Sequence, residues 1–338
     1  MKIKHTFSLF VLIITPVVSA AFDLSLGSSH SQRDYEIDGK LRAHIRKLND
    51  DLLRNIALGN SDSITSMLSE QTKTLLGTNA PTFINQLKST TTPNYKIKLQ
   101  YYTKSSAEGM MVVLPSGQTE ADAYSLQMKL MNKESYITIL EFNSASNSRY
   151  SLLVVYGKYS ENWKINIVHV GETHIYNASG PAYFGICKEQ FEAGHIEGAT
   201  IMCSVASELM WPFKDFLQYK SASEYSSFMK KLEVKNGQLF TFPLRVNSNK
   251  MPIEILDISP HFMEEGIFPQ VSYLSKINFK DTTSLRKEFV AAKTYIDSIY
   301  NFGPSFKSIL YRAYSKMPDG NSPVETFGFV DEKNAPND

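Results

Sequence analysis

The segment LRNIALGNSDSITSMLS, residues 53–69, joins the end of one predicted helix to the start of the next. Gly59-Asn60 is a typical helix stop, and Ser61 or Asp62 can cap the following helix. Upstream of this segment, apolar residues recur every three or four positions and therefore share one helix face. They are Leu41, Ile45, Leu48, Leu52 and Ile56. A third short helix is expected over residues 82–87, with Pro81 near its first turn, so three helices are predicted before the first strand.

Beyond residue 95 the apolar period changes from helical to alternating. Tyr95, Ile97, Leu99 and Tyr101 alternate with polar residues, and similar stretches follow as far as NWKINIVHVG, residues 162–171. Polar breaks of hairpin length separate these stretches, which predicts an antiparallel meander of about five or six strands. One sheet face should cover the long helix, which gives an α+β layer.

The helix–Gly–Asx–helix start and the strand meander together resemble a nuclear transport factor two-like (cystatin-like) domain. In that family a long helix packs into a strongly curved sheet and leaves a cone-shaped pocket. The resemblance therefore implies a helix-packed, cone-shaped α+β domain over residues 38–178. The family includes isomerases, dehydratases, binding modules and adaptors, so the fold does not choose among these functions.

Residues 179–235 resemble a single tetratricopeptide-like helical hairpin, with small residues at the helix contact and Gly194 between the helices. A lone repeat cannot form a solenoid, so we expect a hairpin packed on another domain rather than a peptide-binding array. In such a hairpin Cys187 and Cys203 come from facing helices. They are either structural thiols or a disulfide, which requires a Cα separation within about 7 Å.

Residues 236–338 are predicted to form a small α+β region, with a helix over residues 283–300 and a frayed tail. Strand-like stretches flank this helix on both sides. The last eight residues are polar and contain a proline, which favours fraying.

Residues 1–20 have the three parts of a secretory signal peptide. Lys2 and Lys4 make the start positive, an apolar run covers residues 6–18, and Ser19-Ala20 offers small residues for cleavage. The run is shorter than the roughly 20 residues that a transmembrane helix needs. We therefore expect an exported protein, periplasmic or extracellular, with no membrane span in the mature chain and a flexible leader over residues 21–37.

The composition argues against several classes of partner and cofactor. Lys+Arg number 35 and Asp+Glu number 34, so there is no basic field to attract nucleic acid. His195 lies between the two cysteines, but a zinc site would need a further ligand that is not near in sequence. No Gly-rich phosphate loop or nucleophile elbow occurs. We therefore predict no metal and no cofactor.

Four residues of the meander are candidate site residues. Glu141 shares the strand alternation of Ile137 and Ile139, and a buried carboxyl there would have a raised pKa suited to acid–base work. His169, at the last strand, is the candidate general base of the same cone. Tyr102 and Tyr156 are candidate ligand contacts, since aromatic rings with a polar tip suit a pocket wall as well as a core.

Two functional hypotheses follow from these residues. The first is an exported bacterial protein that acts as a non-catalytic ligand-binding or assembly module, with a small molecule or a cell-envelope protein as its partner. The alternative is a small-molecule isomerase or hydrolase that uses Glu141 or His169 in the cone. A homodimer through the open sheet face is a further option, because members of the resembled family often pair in this way.

Overall fold

The computed structural model describes residues 28–118, 121–143, 147–236, 242–248, 251–319 and 322–333. The predicted signal peptide, most of the predicted leader and the end of the tail lie outside these residues. Two compact units are present. The described residues of the first unit lie within Met1–Ser116, Ser125–Thr173 and Pro212–Leu217, and those of the second lie within Gly117–Tyr124, His174–Trp211 and Gln218–Asp338. Helices and sheets occur together, which confirms the α+β class.

The helices of the first unit are α1 (Gly39–Leu58), α2 (Ser61–Met67), α3 (Glu70–Leu76) and α4 (Ala80–Thr90). The Asp38 side chain caps α1 by accepting bonds from the backbone N–H groups of Lys40 and Leu41, both at 3.0 Å. Gly59 ends α1 in the left-handed conformation at φ 70°. The cap of α2 is Asn60, one residue before the predicted Ser61.

The strands of the first half are β1 (Ser29–Arg33), β2 (Lys96–Ser105), β3 (Met110–Pro115), β4 (Tyr124–Leu130), β5 (Glu134–Asn143), β6 (Ser148–Tyr159), β7 (Asn162–Ile175), β8 (Ala178–Ser179) and β9 (Leu217–Tyr219). One sheet has the order β1-β2-β5-β6-β7-β8, and the other has the order β3-β4-β9. The six-stranded sheet is a strongly curled antiparallel half-barrel. A bulge between Ile97 and Leu99 adds local bend and twist to β2.

Strand β1 lies where the sequence predicts a flexible leader. Ser29–Arg33 pairs antiparallel with β2, and the Ser31 and Thr103 hydroxyls are 2.9 Å apart. The segment has no apolar alternation that would predict a strand. It is ordered by its pairing with β2.

The two faces of the half-barrel are covered by different elements. On one face, β5 and β6 contribute Tyr136, Phe142 and Tyr156 to a buried cluster with the apolar side of α1. On the other face, the Tyr101 hydroxyl donates to the Pro115 carbonyl at 2.6 Å, which ties the β3–β4 hairpin to the sheet. The predicted cone-shaped pocket would therefore lie between α1 and the helix-facing side of the sheet.

In the second unit α5 (Gly180–Glu192) and α6 (Ile196–Leu209) form an antiparallel pair. A disulfide joins Cys187 to Cys203 with a Cα separation of 5.3 Å, and both cysteines are fully buried. Helix α7 (Ala222–Asn236) follows the pair. Among the described residues, no helix is long and apolar enough to cross a membrane.

The rest of the second unit is a five-stranded sheet with one long helix. The strands, in the order in which they pair, are β10 (Leu244–Ser248), β11 (Met251–Met263), β12 (Gly266–Leu274), β13 (Ser308–Tyr314) and β14 (Thr326–Glu332). Helix α8 (Thr282–Ile299) connects β12 to β13, which are parallel. A crossover helix is the usual link between parallel neighbours.

Candidate functional site

Tyr102 is the centre of a polar and aromatic cluster on the helix-facing side of the half-barrel. It lies on β2, and its hydroxyl donates a hydrogen bond to the Glu134 carboxylate on β5. Glu134 also pairs with the Lys158 ammonium on β6, at 3.5 Å. Glu134 and Lys158 each keep about a third of their side-chain surface exposed, at 32% and 31%. Their charges are therefore accessible to a ligand.

Trp163 and Lys104 complete what we call the Tyr102 cluster: Tyr102, Glu134, Lys158, Trp163 and Lys104. The Trp163 ring meets Tyr102 edge to face, with centroids 6.4 Å apart. The Lys104 ammonium lies 5.7 Å from the Tyr102 ring centroid. Both rings are half-buried, so they offer aromatic surface beside a carboxylate and two ammonium groups. Such an arrangement suits binding to a ligand that has both apolar and polar groups.

The hydrogen bond between Tyr102 and Glu134 shifts the pKa values of the two groups in opposite directions. Burial and the Glu134 carboxylate raise the pKa of the Tyr102 hydroxyl well above its usual range. The hydrogen bond from Tyr102 in turn lowers the pKa of Glu134. At neutral pH Tyr102 therefore stays a donor and Glu134 stays charged, whereas a general acid or base needs a pKa near the working pH.

Tyr156 lies in the same cross-strand row as Tyr102 but has a different environment. Tyr102 faces Tyr136 on β5, and Tyr136 faces Tyr156 on β6. Tyr156 is 1% exposed, and its hydroxyl donates to the Asn49 side-chain carbonyl on α1 at 2.8 Å. Tyr156 thus ties the sheet to α1 inside the core, whereas Tyr102 lies at the partly exposed end of the row.

Glu141 lies on the sheet face opposite the helices, together with Ile137 and Ile139. Both isoleucines are buried, but Glu141 retains 17% of its side-chain exposure. Its carboxylate pairs with the Lys98 ammonium at 3.4 Å. Glu141 therefore has a cation as its neighbour.

His169 is packed between two aromatic rings of the segment that returns to the first unit. The ring centroids of Phe213 and Phe216 lie 6.2 and 6.3 Å from the His169 centroid, both edge to face. Burial, with a smaller contribution from the Lys214 charge, lowers the pKa of His169 to about 4. Nδ1 of His169 has no hydrogen-bond partner within the described residues. His169 is thus a neutral side chain at pH 7.

The structure does not bring Glu141 and His169 together. Glu141 pairs with Ser151, and the Ser151 hydroxyl lies 3.4 Å from that of Thr173 on β7. His169 precedes Thr173 by four residues, which is about 13 Å along a strand at roughly 3.3 Å per residue. A single small substrate would not reach both groups.

Four members of the cluster, Glu134, Lys158, Trp163 and Lys104, were not predicted from the sequence. The signal that could have identified Glu134 is its register, because it lies directly opposite Lys104 across β2 and β5. That register is known only once the strands are paired, so spacing along the chain could not supply it. Within the residues that the structure describes, no group of three or more His, Cys, Asp or Glu side chains could hold a metal ion.

Comparisons with protein-family models, curated proteins and solved structures found no match to this chain.

Proposed function

We propose that the protein is an exported bacterial binding or assembly module without catalytic activity, acting in the periplasm or outside the cell. Its ligand is a small molecule or part of a cell-envelope protein, and it binds at the Tyr102 cluster. The observation that carries this proposal is the pair of half-buried rings, Tyr102 and Trp163, beside the Glu134–Lys158 ion pair. The signal-like residues 1–20 and the disulfide support an oxidising, exported location.

The same proposal interprets the first unit as a nuclear transport factor two-like domain and α5–α6 as a single tetratricopeptide-like hairpin. The curled sheet with α1 on one face supports the first interpretation. The short antiparallel helix pair with Gly194 at its turn supports the second. The ion pair of Glu141 with Lys98 and the packing of His169 between Phe213 and Phe216 favour a binding module over the isomerase or hydrolase alternative.

Fluorescence of Trp163 tests the proposal directly. The chain has two tryptophans, so Trp211→Phe leaves Trp163 as the sole reporter in the mature protein. The probe is a set of peptidoglycan fragments, whose sugar rings suit aromatic side chains and whose amine and carboxylate groups suit Glu134 and Lys158. We expect a saturable change in Trp163 emission, and we expect Tyr102→Ala to weaken binding by about tenfold, the equivalent of about 1.4 kcal/mol.

The matched control is Tyr35→Ala, which removes a tyrosine that is 90% exposed and outside the cluster. Equal binding by both tyrosine variants, or no saturable change at all, would count against the proposed site. Mass spectrometry of the recovered fragments addresses catalysis separately. Cleaved or rearranged fragments would favour the enzyme alternative.

A further inference from the structure

The five-stranded sheet of the second unit has an arginine without an ion pair on the face that points away from α8. On β13 the buried Tyr311 ring lies 5.1 Å from the Phe289 ring of α8, centroid to centroid. Because successive side chains of a strand point to opposite faces, Arg312 points away from α8. Arg312 is half-buried. Its guanidinium has neither an ion pair nor a hydrogen bond within the part of the chain that the structure describes.

The residue directly opposite Arg312 on β14 is a glycine, Gly328. A Cβ at this position would have nothing within 4 Å, so the space above Gly328 is open. Gly328 is also exposed. A glycine inside a strand often marks a place where a ligand approaches the backbone closely. The open space therefore lies beside a cation that lacks a counterion.

The rows on either side of Arg312 supply apolar and aromatic surface. Leu310 and Tyr314 lie on the same face of β13 as Arg312, and both are half-buried. Val330 lies opposite Leu310 on β14 and is 58% exposed. Apolar side chains around a few polar groups are typical of small-molecule sites. A ligand with an apolar body could cover Leu310 and Val330 while its polar end meets Arg312.

The side of Arg312 that faces β12 is polar and buried. Ser272 lies opposite Arg312 and is 6% exposed, and Gln270 lies on the same face and is 8% exposed. Gln270 Nε2 donates to Ser272 Oγ at 3.2 Å, but Gln270 Oε1 is buried without a hydrogen-bond partner among the described residues. A guanidinium has five N–H donors, which is more than one carboxylate uses. Arg312 can therefore bind a carboxylate and still have donors left for this acceptor.

The charges on this face favour a ligand with a single negative charge. Neither of the two direct neighbours of Arg312, Ser272 and Gly328, is charged. Asp257 lies in the same row on β11, two strands away, which is about 10 Å. At that distance Asp257 does not pair with Arg312, but it would oppose a second negative charge on the ligand. A carboxylate fits these conditions better than a phosphate does.

We propose that the second unit has a ligand site of its own, which binds a small monocarboxylate with an apolar body. We call Leu310, Arg312, Tyr314, Gly328 and Val330 the Arg312 site. The carboxylate occupies the space above Gly328 and accepts two hydrogen bonds from the guanidinium, the arrangement that arginine favours with carboxylates. The apolar body covers Leu310 and Val330 and removes their surface from water. The Arg312 site is independent of the Tyr102 cluster.

Titration of the mature protein with octanoate, followed by ligand-observed NMR, tests this site. Octanamide is the neutral ligand of equal length, and we expect it to bind at least about tenfold more weakly than octanoate. Arg312→Gln should weaken octanoate binding about tenfold, because it removes the charged donor. Gly328→Val should weaken binding similarly, because valine suits a strand and fills the open space. The matched control is Arg245→Gln, which removes an arginine that is 81% exposed on the same sheet and should bind octanoate like the parent.

The absence of saturable octanoate binding would overturn the proposal, and so would equal affinities of the parent and Gly328→Val. Equal losses in Arg312→Gln and Arg245→Gln would also overturn it, since binding would then follow the overall charge. Tyr102→Ala should bind octanoate like the parent, and a loss in that variant would place octanoate at the Tyr102 cluster instead. Far-UV circular dichroism checks that the variants fold. If Arg312→Gln does not fold, Gly328→Val and octanamide carry the test.

Discussion

The half-barrel and the α5–α6 pair each have a close contact at a glycine, Gly157 on β6 and Gly180 on α5. The two regions secure these contacts differently. Next to Gly157 on β6, the Asn166 side-chain amide donates to Asn132 Oδ1 at 2.7 Å, and the Tyr159 hydroxyl donates to Asn166 Oδ1 at 2.8 Å. The helix pair instead has the Cys187–Cys203 bond. The half-barrel therefore depends on the exact fit of neutral polar groups, and the helix pair depends on a covalent bond that needs an oxidising compartment.

Gly157→Ala should have the largest effect on stability, because it disrupts the hydrogen bonds among Asn132, Asn166 and Tyr159. A Cβ at residue 157 would lie 1.9 Å from Asn132 Oδ1 and 2.3 Å from Asn166 Nδ2. Overpacking costs about 1–3 kcal/mol, and a lost buried hydrogen bond costs about 1–3 kcal/mol more. We expect the free energy of unfolding of the first unit to fall by about 3–5 kcal/mol, as measured by urea titration of Trp163 fluorescence in Trp211→Phe.

Gly185→Ala on α5 is the matched control for this substitution. A Cβ there has nothing within 4 Å, and alanine is the better helix former by about 1 kcal/mol. The free energy of unfolding of Gly185→Ala should equal that of the parent protein or exceed it slightly. If both alanine variants lost the same small amount of stability, tight packing at Gly157 would not be what secures the half-barrel.

Removal of the disulfide tests whether the α5–α6 pair depends on its covalent bond. In the exported protein, alkylation without reductant followed by mass spectrometry should find Cys187 and Cys203 joined. The bond joins residues with a sequence separation of 16. A disulfide that closes a loop of this size contributes about 3 kcal/mol, so the Cys187→Ala/Cys203→Ala double variant should lose about that much stability. Thermal unfolding with and without reductant checks this, since reductant should lower the midpoint of the parent and leave the double variant unchanged. Two free thiols in the exported chain would contradict the prediction.

Long periodic elements are predictable from this sequence, and contacts that depend on register are not. Helix α8 spans Thr282–Ile299 where the apolar period predicts residues 283–300, and α1 follows its pattern equally well. The strands of the meander lie where alternation predicts them, but β3 and β4 form a separate sheet with β9 instead of continuing one meander. Strand β1 was missed because its sequence SHSQR carries no alternation and is ordered by β2. In the candidate site Tyr102 could be named from the sequence, but Glu134 and Trp163 reach it only through strand pairing.

Burial of His169 should make the stability of the half-barrel depend on pH. Its pKa falls from 6.5 to about 4 in the folded protein, so the unfolded chain binds the proton more readily. The contribution of neutral His169 is therefore complete above pH 6.5 and is lost as the pH falls from 6.5 towards 4. The full difference corresponds to at most about 3.5 kcal/mol, at about 1.4 kcal/mol per pH unit.

Urea titrations at a series of pH values between 7.5 and 4.5 measure this loss. His169→Gln removes the titrating group at similar size, so its stability should vary less over that range than that of the parent. The same pH dependence in both proteins would assign the loss to carboxylates elsewhere. A flat profile in the parent would contradict the burial of a neutral imidazole between Phe213 and Phe216.

Tyr102→Phe and Tyr156→Phe should have the smallest effects on stability, and the two variants should differ in whether stability or ligand affinity is lost. Tyr156→Phe leaves the buried Asn49 carbonyl without its donor and should cost about 1–3 kcal/mol. Tyr102→Phe removes a hydrogen bond at a half-exposed position, where water can solvate Glu134, and should cost less than about 1 kcal/mol. Ligand affinity should show the reverse order, because Tyr102 belongs to the accessible cluster and Tyr156 to the core. Parallel urea and fluorescence titrations of both variants test this, and a larger stability loss in Tyr102→Phe would show that the cluster is structural rather than a binding surface.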